Sequence, residues 1–420
     1  MKITLLTYGS RGDLEPFLAL AKGLKVAGHT VKLAAPQNFE EYVRAQDVTF
    51  ISLPGDTRKI LSSPEGADLL RSGNSTKFVR DITHILRNYY ERVEDKCLEA
   101  CQDAELIVGA GLTLKDTICI SDKLKIRACI LNLQPVLPGT SAFPNFLITT
   151  KNLRPKMLNK VTHLLFDILF WKDQKKYVQK FRARLGLPPL DKPLVKSLIS
   201  RKIPILHAYS SLIVTPPKDW DGLGAFVGHI SAPTDASKYT LAKPNKNLIE
   251  WLSRPDKPIF FGFGSMPLMT EKALNLISEA LRKLMKRGVI VSSWSETPIL
   301  PSAAENLLMV TEADYRWLLP KCAVAVHHGG AGTTHDALLA GIPSVVCPSI
   351  SDQFFWAKRV SDLKVGIDLS FKNFNEARLV NALKYCLETS IAKNAREFSL
   401  KMVKDGNGLQ NTISFIEKAF

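Results

Sequence analysis

At 420 residues the chain is too long for one comfortable core and suits two domains of ordinary size. Its composition, 45% hydrophobic and 23% charged, excludes a chain disordered over most of its length. The formal charge of +16 is uneven: Lys151 to Lys202 carries fourteen Lys or Arg against the three acids Asp167, Asp173 and Asp191, so most of the excess is local and is no general signature of nucleic-acid binding.

From the start, "KITLLTY" is a short apolar strand, and the turn "GSRGD" leads into "LEPFLALAKGLKVAG". Leu14, Phe17, Leu18, Ala21 and Leu24 recur there at helical spacing, which predicts a helix from Leu14 to Gly28 with Pro16 in its first turn. "HTVKLAAP" follows as a second strand and completes a β-α-β unit, which implies a parallel sheet. "FVRDITHILRNYYERVEDKCLEACQDA" reads as one long helix, and "AELIVGAG" and "IRACILNL" as buried strands. "VTHLLFDILFW", Val161 to Trp171, is an apolar segment with lysines on both sides. It reads either as an ordinary core helix or as a helix lying on an anionic membrane surface.

Residues 231–247, polar with two prolines and without periodicity, read as a linker. Beyond it the pattern restarts with "KPIFFGFGSM" (strand and turn), "TEKALNLISEALRKLMKRG" (helix), "VIVSSW" and "NLLMV" (strands), then "CAVAVHHGGAGTTHDALLAGIPSVVCPS" (strand, glycine turn, helix and strand). The expected organisation is an N-terminal domain over 1–230, a C-terminal domain over 248–404, and a C-terminal helix over 405–420 that packs on either domain. The fold class is α/β: two Rossmann-like, doubly wound domains facing across a cleft, with ligands beyond the carboxyl ends of the strands. The seven cysteines, odd in number and mostly inside apolar runs, read as reduced buried thiols. No apolar run reaches the roughly 18 residues of a membrane span. With no signal-peptide pattern at "MKITLLTYGSRGD", a cytoplasmic location is expected.

"HHGGAGTT", His327 to Thr334, leaves a strand and enters a helix. Its glycines let backbone approach a ligand, and the helix start offers unpaired N–H groups and a positive dipole end, so the turn suits a phosphate. His327 at the strand end is a candidate donor to a diphosphate oxygen. Asp352 and Gln353 follow another strand; an acid beside an amide suits sugar hydroxyls, although the pair equally suits a helix cap. Ser265 in "GFGSM" is a further candidate for the phosphates. In "TYGSRGDLEPF", Asp13 is either the N-cap of the helix beginning at Leu14 or a carboxylate free for chemistry.

Taken together, "GSRGDLEPF", "GFGSMP", "DYRWLLP" and "HHGGAGTTHDALLAGIPSVVCPSISDQFFWAKRV" resemble the inverting glycosyltransferases of GT-B fold that use nucleotide-diphosphate sugars. They look most like the sterol glucosyltransferases and the related antibiotic and lipid glycosyltransferases. The resemblance covers both halves in the family's order and is weakest over Pro138 to Lys202. It implies a donor diphosphate against His327, Gly329, Gly332 and Thr333, with Asp352 and Gln353 toward the donor sugar, Ser265 in the serine loop, and Trp294 flanking the uracil. It implies Asp13 as the base that takes the acceptor hydroxyl's proton, with Ser10 and Gly12 bringing the loop to the donor phosphates. A departure from the family's pattern stands at His335, where related plant enzymes place an acid that holds the ribose.

No metal and no cofactor beyond the UDP-sugar donor is expected, because the helix start can neutralise the leaving diphosphate and no Asp-x-Asp pair stands near these turns. The partners the resemblance implies are a UDP-sugar, with UDP-glucose as the expected donor, an apolar hydroxylated acceptor such as a sterol or other lipid, and, through the basic Lys151–Lys202 stretch, an anionic membrane surface. Two alternatives stay open: the same fold acting on a soluble polyketide, carotenoid or phenol, and a basic nucleic-acid-binding protein without transferase activity.

Overall fold

The computed structural model describes residues 1–63, 65–66, 75–231, 246–264, 270–292 and 305–420. They form two compact α/β units. The first takes Met1–Ile60, Arg80–Ala232 and Gly406–Phe420, and the second is built around Pro233–Asp405. Most of the expected linker over 231–247 lies outside the described residues.

The first unit carries a sheet of strands β1 (Lys2–Leu6), β2 (Thr30–Pro36), β3 (Thr49–Leu53), β4 (Leu106–Ala110), β5 (Arg127–Asn132), β6 (Ile205–His207) and β7 (Gly224–Phe226). Their spatial order is β3-β2-β1-β4-β5-β6-β7, and every pair is parallel. Strands such as β4, "LIVGA", are buried at every position because helices cover both faces, which is why they read as continuous apolar runs without alternation. The chain reverses its direction of travel across the sheet between β1 and β4. The crevice that such a reversal opens beyond the strand ends is where doubly wound sheets hold ligands.

The helix after β1, α1, runs Arg11–Val26 and buries Leu14, Phe17, Leu18, Ala21 and Leu24 against the sheet. It begins three residues before the expected start. The proline preference for a first turn points to Leu14, whereas the capping chemistry of Ser10 sets the start and Pro16 stands inside the helix. The long helix expected before β4 is broken: Ser75–Leu86 and α2 (Tyr90–Cys101) are separated by a 3-10 turn over Arg87–Tyr89. Helix α3 (Leu114–Leu124) follows β4, and the basic stretch forms a 28-residue helix, α4 (Met157–Arg184). All seven cysteines are buried free thiols.

In the second unit β8 (Ile259–Gly262), β9 (Gly288–Val291), β10 (Leu307–Val310), β11 (Val324–His327), β12 (Ser344–Val346) and β13 (Gly366–Asp368) stand in the order β10-β9-β8-β11-β12-β13, again all parallel. The reversal lies between β8 and β11, whose last residues Gly262 and His327 are register partners. Helix α5 (Glu271–Lys283) covers one face with Leu274, Ile277 and Leu281. Helix α6 (Ala331–Leu339) leaves the glycine turn, and α7 (Gln353–Asp362) follows β12.

The last helix, α8 (Gly408–Ala419), packs on α1 of the first unit. Gly23 makes room for it: a Cβ there would come within 2.8 Å of Ile413 Cδ1 and 2.9 Å of Leu409 Cδ1. Asn407 caps α8 by accepting from the Leu409 and Gln410 N–H groups, and Asn411 Nδ2 donates to the Val227 carbonyl at 3.0 Å. Among the described residues no helix is long and apolar enough to cross a membrane.

Candidate active site

In the first unit the site begins where β1 ends. Gly9, at φ +139°, turns the chain, and Ser10 stands in extended conformation as the N-cap of α1. Asp13 occupies the third helical position and reaches back: its Oδ2 accepts from the Ser10 N–H at 2.8 Å and from the Ser10 hydroxyl at 3.0 Å. Asp13 is therefore not the N-cap but the returning arm of a capping box. The carboxylate remains half-buried rather than enclosed, and Gln134, in the turn just beyond β5, also donates to it. Burial pushes the Asp13 carboxyl above its ordinary value, and the hydrogen bonds from Ser10 and Gln134 only partly oppose this.

Gly9 is needed for that arrangement, since a Cβ on it would stand 2.4 Å from Asp13 Oδ2. Gly12 has no such constraint and lies exposed in the first turn of α1. Arg11 braces the helix: its Nε donates to Glu15 at 2.8 Å and its terminal nitrogen to the Tyr42 hydroxyl at 3.2 Å, and it stacks over the Tyr42 ring. Tyr42 closes the group with a 2.9 Å bond to Glu15. The switch point is tied together by Thr113, whose hydroxyl donates to the Leu6 carbonyl at 2.9 Å across the β1–β4 boundary.

In the second unit His327 ends β11 at 0% exposure. Its Nδ1 accepts from the Gly329 N–H at 3.1 Å, which assigns the proton to Nε2. Burial, with His328 beside it, lowers its pKa to about 3, so the ring is neutral. His327 therefore shapes the turn from inside, and the Gly329 N–H is spent on it. The first ring past the strand end is His328, half-buried between Gly264 and Gly330, where Cβ atoms would lie 2.9 and 2.6 Å from its ring. Its Nδ1 faces the Gly262 carbonyl at 3.5 Å, and burial lowers its pKa to about 4. Gly329, at φ +89°, lets the turn pass β12, since a Cβ would reach within 2.7 Å of Val346 Cγ1.

Helix α6 starts at the N-cap Gly330 with no side-chain cap. The N–H groups of Ala331, Gly332 and Thr333 precede its first internal bond, from Thr334 N to the Gly330 carbonyl, and so point out of the helix end. Gly332 has open space where a Cβ would stand, and Thr333 is half-exposed beside it. His335 faces the other way. It is buried, bonds the Ala331 carbonyl through Nδ1 at 2.7 Å, and meets the Trp356 ring edge-on at 5.3 Å. The next residue, Asp336, lies one turn beyond Thr333 on the half-exposed face.

Asp352 and Gln353 stand at the start of α7 and hold their surroundings. Asp352 Oδ2 accepts from the Trp356 indole N–H at 2.8 Å and makes no side-chain cap. Gln353 Oε1 accepts from the backbone N–H groups of Ser349 at 2.9 Å and Ile350 at 3.1 Å, which fixes the loop after β12. Ser265 and Trp294 lie outside the described residues. Among the described residues no group of three His, Cys, Asp or Glu could hold a metal ion.

The sequence reading missed Gln134, His328 and Trp356. Gln134 and His328 shared one signal, a polar side chain in the first positions past a buried strand. The indole donor at Trp356 has none, because a tryptophan in a helix reads as core.

Comparison with known proteins fits this geometry. Residues 3–130 match the model of the glycosyltransferase family 28 N-terminal domain, and residues 284–407 match that of the erythromycin biosynthesis protein CIII-like C-terminal domain. Two sterol 3-beta-glucosyltransferases of Arabidopsis thaliana are 29% and 31% identical over 97% and 98% of this chain, which spans 66% and 64% of their lengths. A sterol 3-beta-glucosyltransferase of Debaryomyces hansenii is 30% identical over 98% of this chain, which spans 26% of it. The chain thus spans less than two thirds of these curated relatives. Among solved structures, spinosyn forosaminyltransferase superposes with a TM-score of 0.70 at 17% identity, covering 100% of this chain and 99% of that one. The calicheamicin glycosyltransferase CalG4 does so with 0.68 at 15%, covering 99% and 97%. Solved glycosyltransferases that superpose along nearly the whole chain show that it has the GT-B fold, and it is similar to sterol glucosyltransferases over the same length.

Proposed function

We propose that this protein transfers a sugar, glucose from UDP-glucose, to the hydroxyl of a sterol or similar membrane-borne lipid, with inversion and without a metal ion. The observation that carries the reading is Asp13: a half-exposed carboxyl at the β1–β4 reversal, held by Ser10 and Gln134, with a raised affinity for protons. A base suited to a hydroxyl needs such a position and such a pKa. On this reading Asp13 takes the proton of the acceptor hydroxyl as its oxygen attacks the anomeric carbon. The bond from that carbon to the diphosphate oxygen breaks, the electron pair leaves with UDP, and the configuration inverts.

The first unit takes the acceptor and the second holds the donor. The open N–H groups at the start of α6, with Thr333 and His328, receive the diphosphate charge as it develops, which is the part a metal plays elsewhere. His328 replaces His327 in this role because His327 is sealed inside. Asp336, one turn beyond Thr333, is the acid for the ribose, a part His335 cannot play from its buried position. Asp352, fixed by Trp356, faces the sugar. The glucosyltransferase names of the relatives support the sugar and the sterol.

The test is a transfer screen of UDP-glucose, UDP-galactose and dTDP-sugars against a sterol and a phenol in the presence of EDTA. Transfer of glucose from UDP-glucose to the sterol, undiminished by chelation, is the expected result. Transfer to the phenol alone, or loss of activity with EDTA, contradicts the reading.

A further inference from the structure

Helix α4 is turned inside out over its first half. The residues it buries there are polar, Asn159, Thr162 and His163, while Met157, Leu158, Val161, Leu164, Leu165, Ile168 and Leu169 are between 42% and 64% exposed. The inversion is built in by hydrogen bonds to the segment before the helix. Asn159 accepts from the Leu153 N–H at 2.9 Å and donates to the Ser141 carbonyl at 3.1 Å. The Thr162 hydroxyl accepts from the Asn145 N–H at 2.8 Å, and His163 Nε2 bonds the Phe143 carbonyl at 3.0 Å. An ordinary surface helix has the opposite pattern.

At about 100° per residue the seven apolar side chains share one arc of the helix, and Lys172, Lys175 and Lys176 continue the same arc one turn further on. Lys151, Arg154, Lys156 and Lys160 are exposed around its beginning. The two acids of the helix, Asp167 and Asp173, lie off this arc and are half-buried. An apolar stripe with cations at both ends matches the section of a bilayer surface, where acyl chains lie beneath anionic headgroups. A second copy of the same face fits it less well, because cations would face cations in a chain of net charge +16.

We propose that the first half of α4 seats the protein on a phospholipid bilayer containing anionic lipids, with Val161, Leu164, Leu165 and Ile168 among the acyl chains and the flanking lysines on the headgroup phosphates. The inference deepens the reading of a membrane-borne acceptor and rests on it for its biological sense, but its test needs no sugar transfer. The full chain is floated with phosphatidylcholine vesicles, with and without phosphatidylserine, at low and high salt. The comparison variants are Val161→Glu with Ile168→Glu, and Lys172→Glu with Lys175→Glu and Lys176→Glu.

Binding to the phosphatidylserine vesicles is expected, falling with salt and reduced about tenfold or more in each variant, while transfer to detergent-dispersed sterol is unchanged. All substituted side chains are exposed, and the lysine variant tests the surface without touching the apolar stripe. Equal flotation of the variants, no flotation of the natural chain, or a dimer in sedimentation that Val161→Glu with Ile168→Glu dissolves would overturn the proposal. Flotation without transfer to any acceptor upholds the docking surface and removes the sugar-transfer reading instead.

Discussion

Gly9 and Asp13 constrain one another. The carboxylate can fold back onto Ser10 only because nothing projects from Gly9, whose φ of +139° an L side chain rarely adopts. Gly9→Ala places a methyl group 2.4 Å from Asp13 Oδ2, so either the loop or the carboxylate must move. Displacing a catalytic group by about 1 Å costs on the order of 10²-fold in rate, and that drop in kcat is expected for Gly9→Ala, with UDP binding by calorimetry unchanged. Unaltered kcat in this variant would mean that the position of Asp13 does not matter to the chemistry. The sequence marked Asp13 but offered capping and catalysis as alternatives. The structure joins them, because an acid at the third helical position returns to the N-cap with one oxygen, and Gln134, 121 positions away in the chain, completes its surroundings. No local pattern could have paired residues that distant.

At the scale of elements, α6 and α7 are joined by a polar and aromatic chain running from Asp352 through Trp356 to His335. Trp356 is fully buried and its indole N–H is the donor that holds Asp352 at the start of α7. Trp356→Phe keeps most of the packing and removes that donor. A hydrogen bond to a charged group contributes about 1.5–3 kcal/mol, so thermal unfolding should move down accordingly, and the KM for UDP-glucose should rise several-fold while UDP alone binds as before. A KM equal to that of the natural chain would separate Asp352 from sugar recognition. The start of α1 was legible to within a turn, whereas the helix expected before β4 is broken at Arg87–Tyr89 and α4 runs well past the apolar segment, to Arg184. Pro16 drew the start of α1 toward Leu14, while the capping box at Ser10 set it at Arg11. At the glycine turn, both faces of β11 are buried, so alternation gave no sign that His327 points inward and that His328 is the first ring beyond the edge.

For the whole molecule, two doubly wound parallel-sheet units were legible from the order of apolar runs and glycine turns, whereas the strand order, with its reversals between β1 and β4 and between β8 and β11, is set by tertiary pairing. The partner of the last helix was not, because Leu409, Ile413 and Ile416 supply an apolar face that suits any helix, and only the missing side chain of Gly23 selects α1. The inverted half of α4 was legible as an apolar run between lysines, but which of its faces is buried depends on bonds to Ser141, Phe143, Asn145 and Leu153 that periodicity does not reveal. The most direct measurement on the account as a whole is transfer of glucose from UDP-glucose to a dispersed sterol by the natural chain and by Asp13→Asn, with UDP affinity measured in parallel. The amide keeps the shape and the bonds to Ser10 within reach but cannot accept the proton. Transfer should fall by about 10²–10⁴-fold with UDP affinity unchanged, whereas full transfer by Asp13→Asn would contradict the assignment of the base and with it the proposed mechanism.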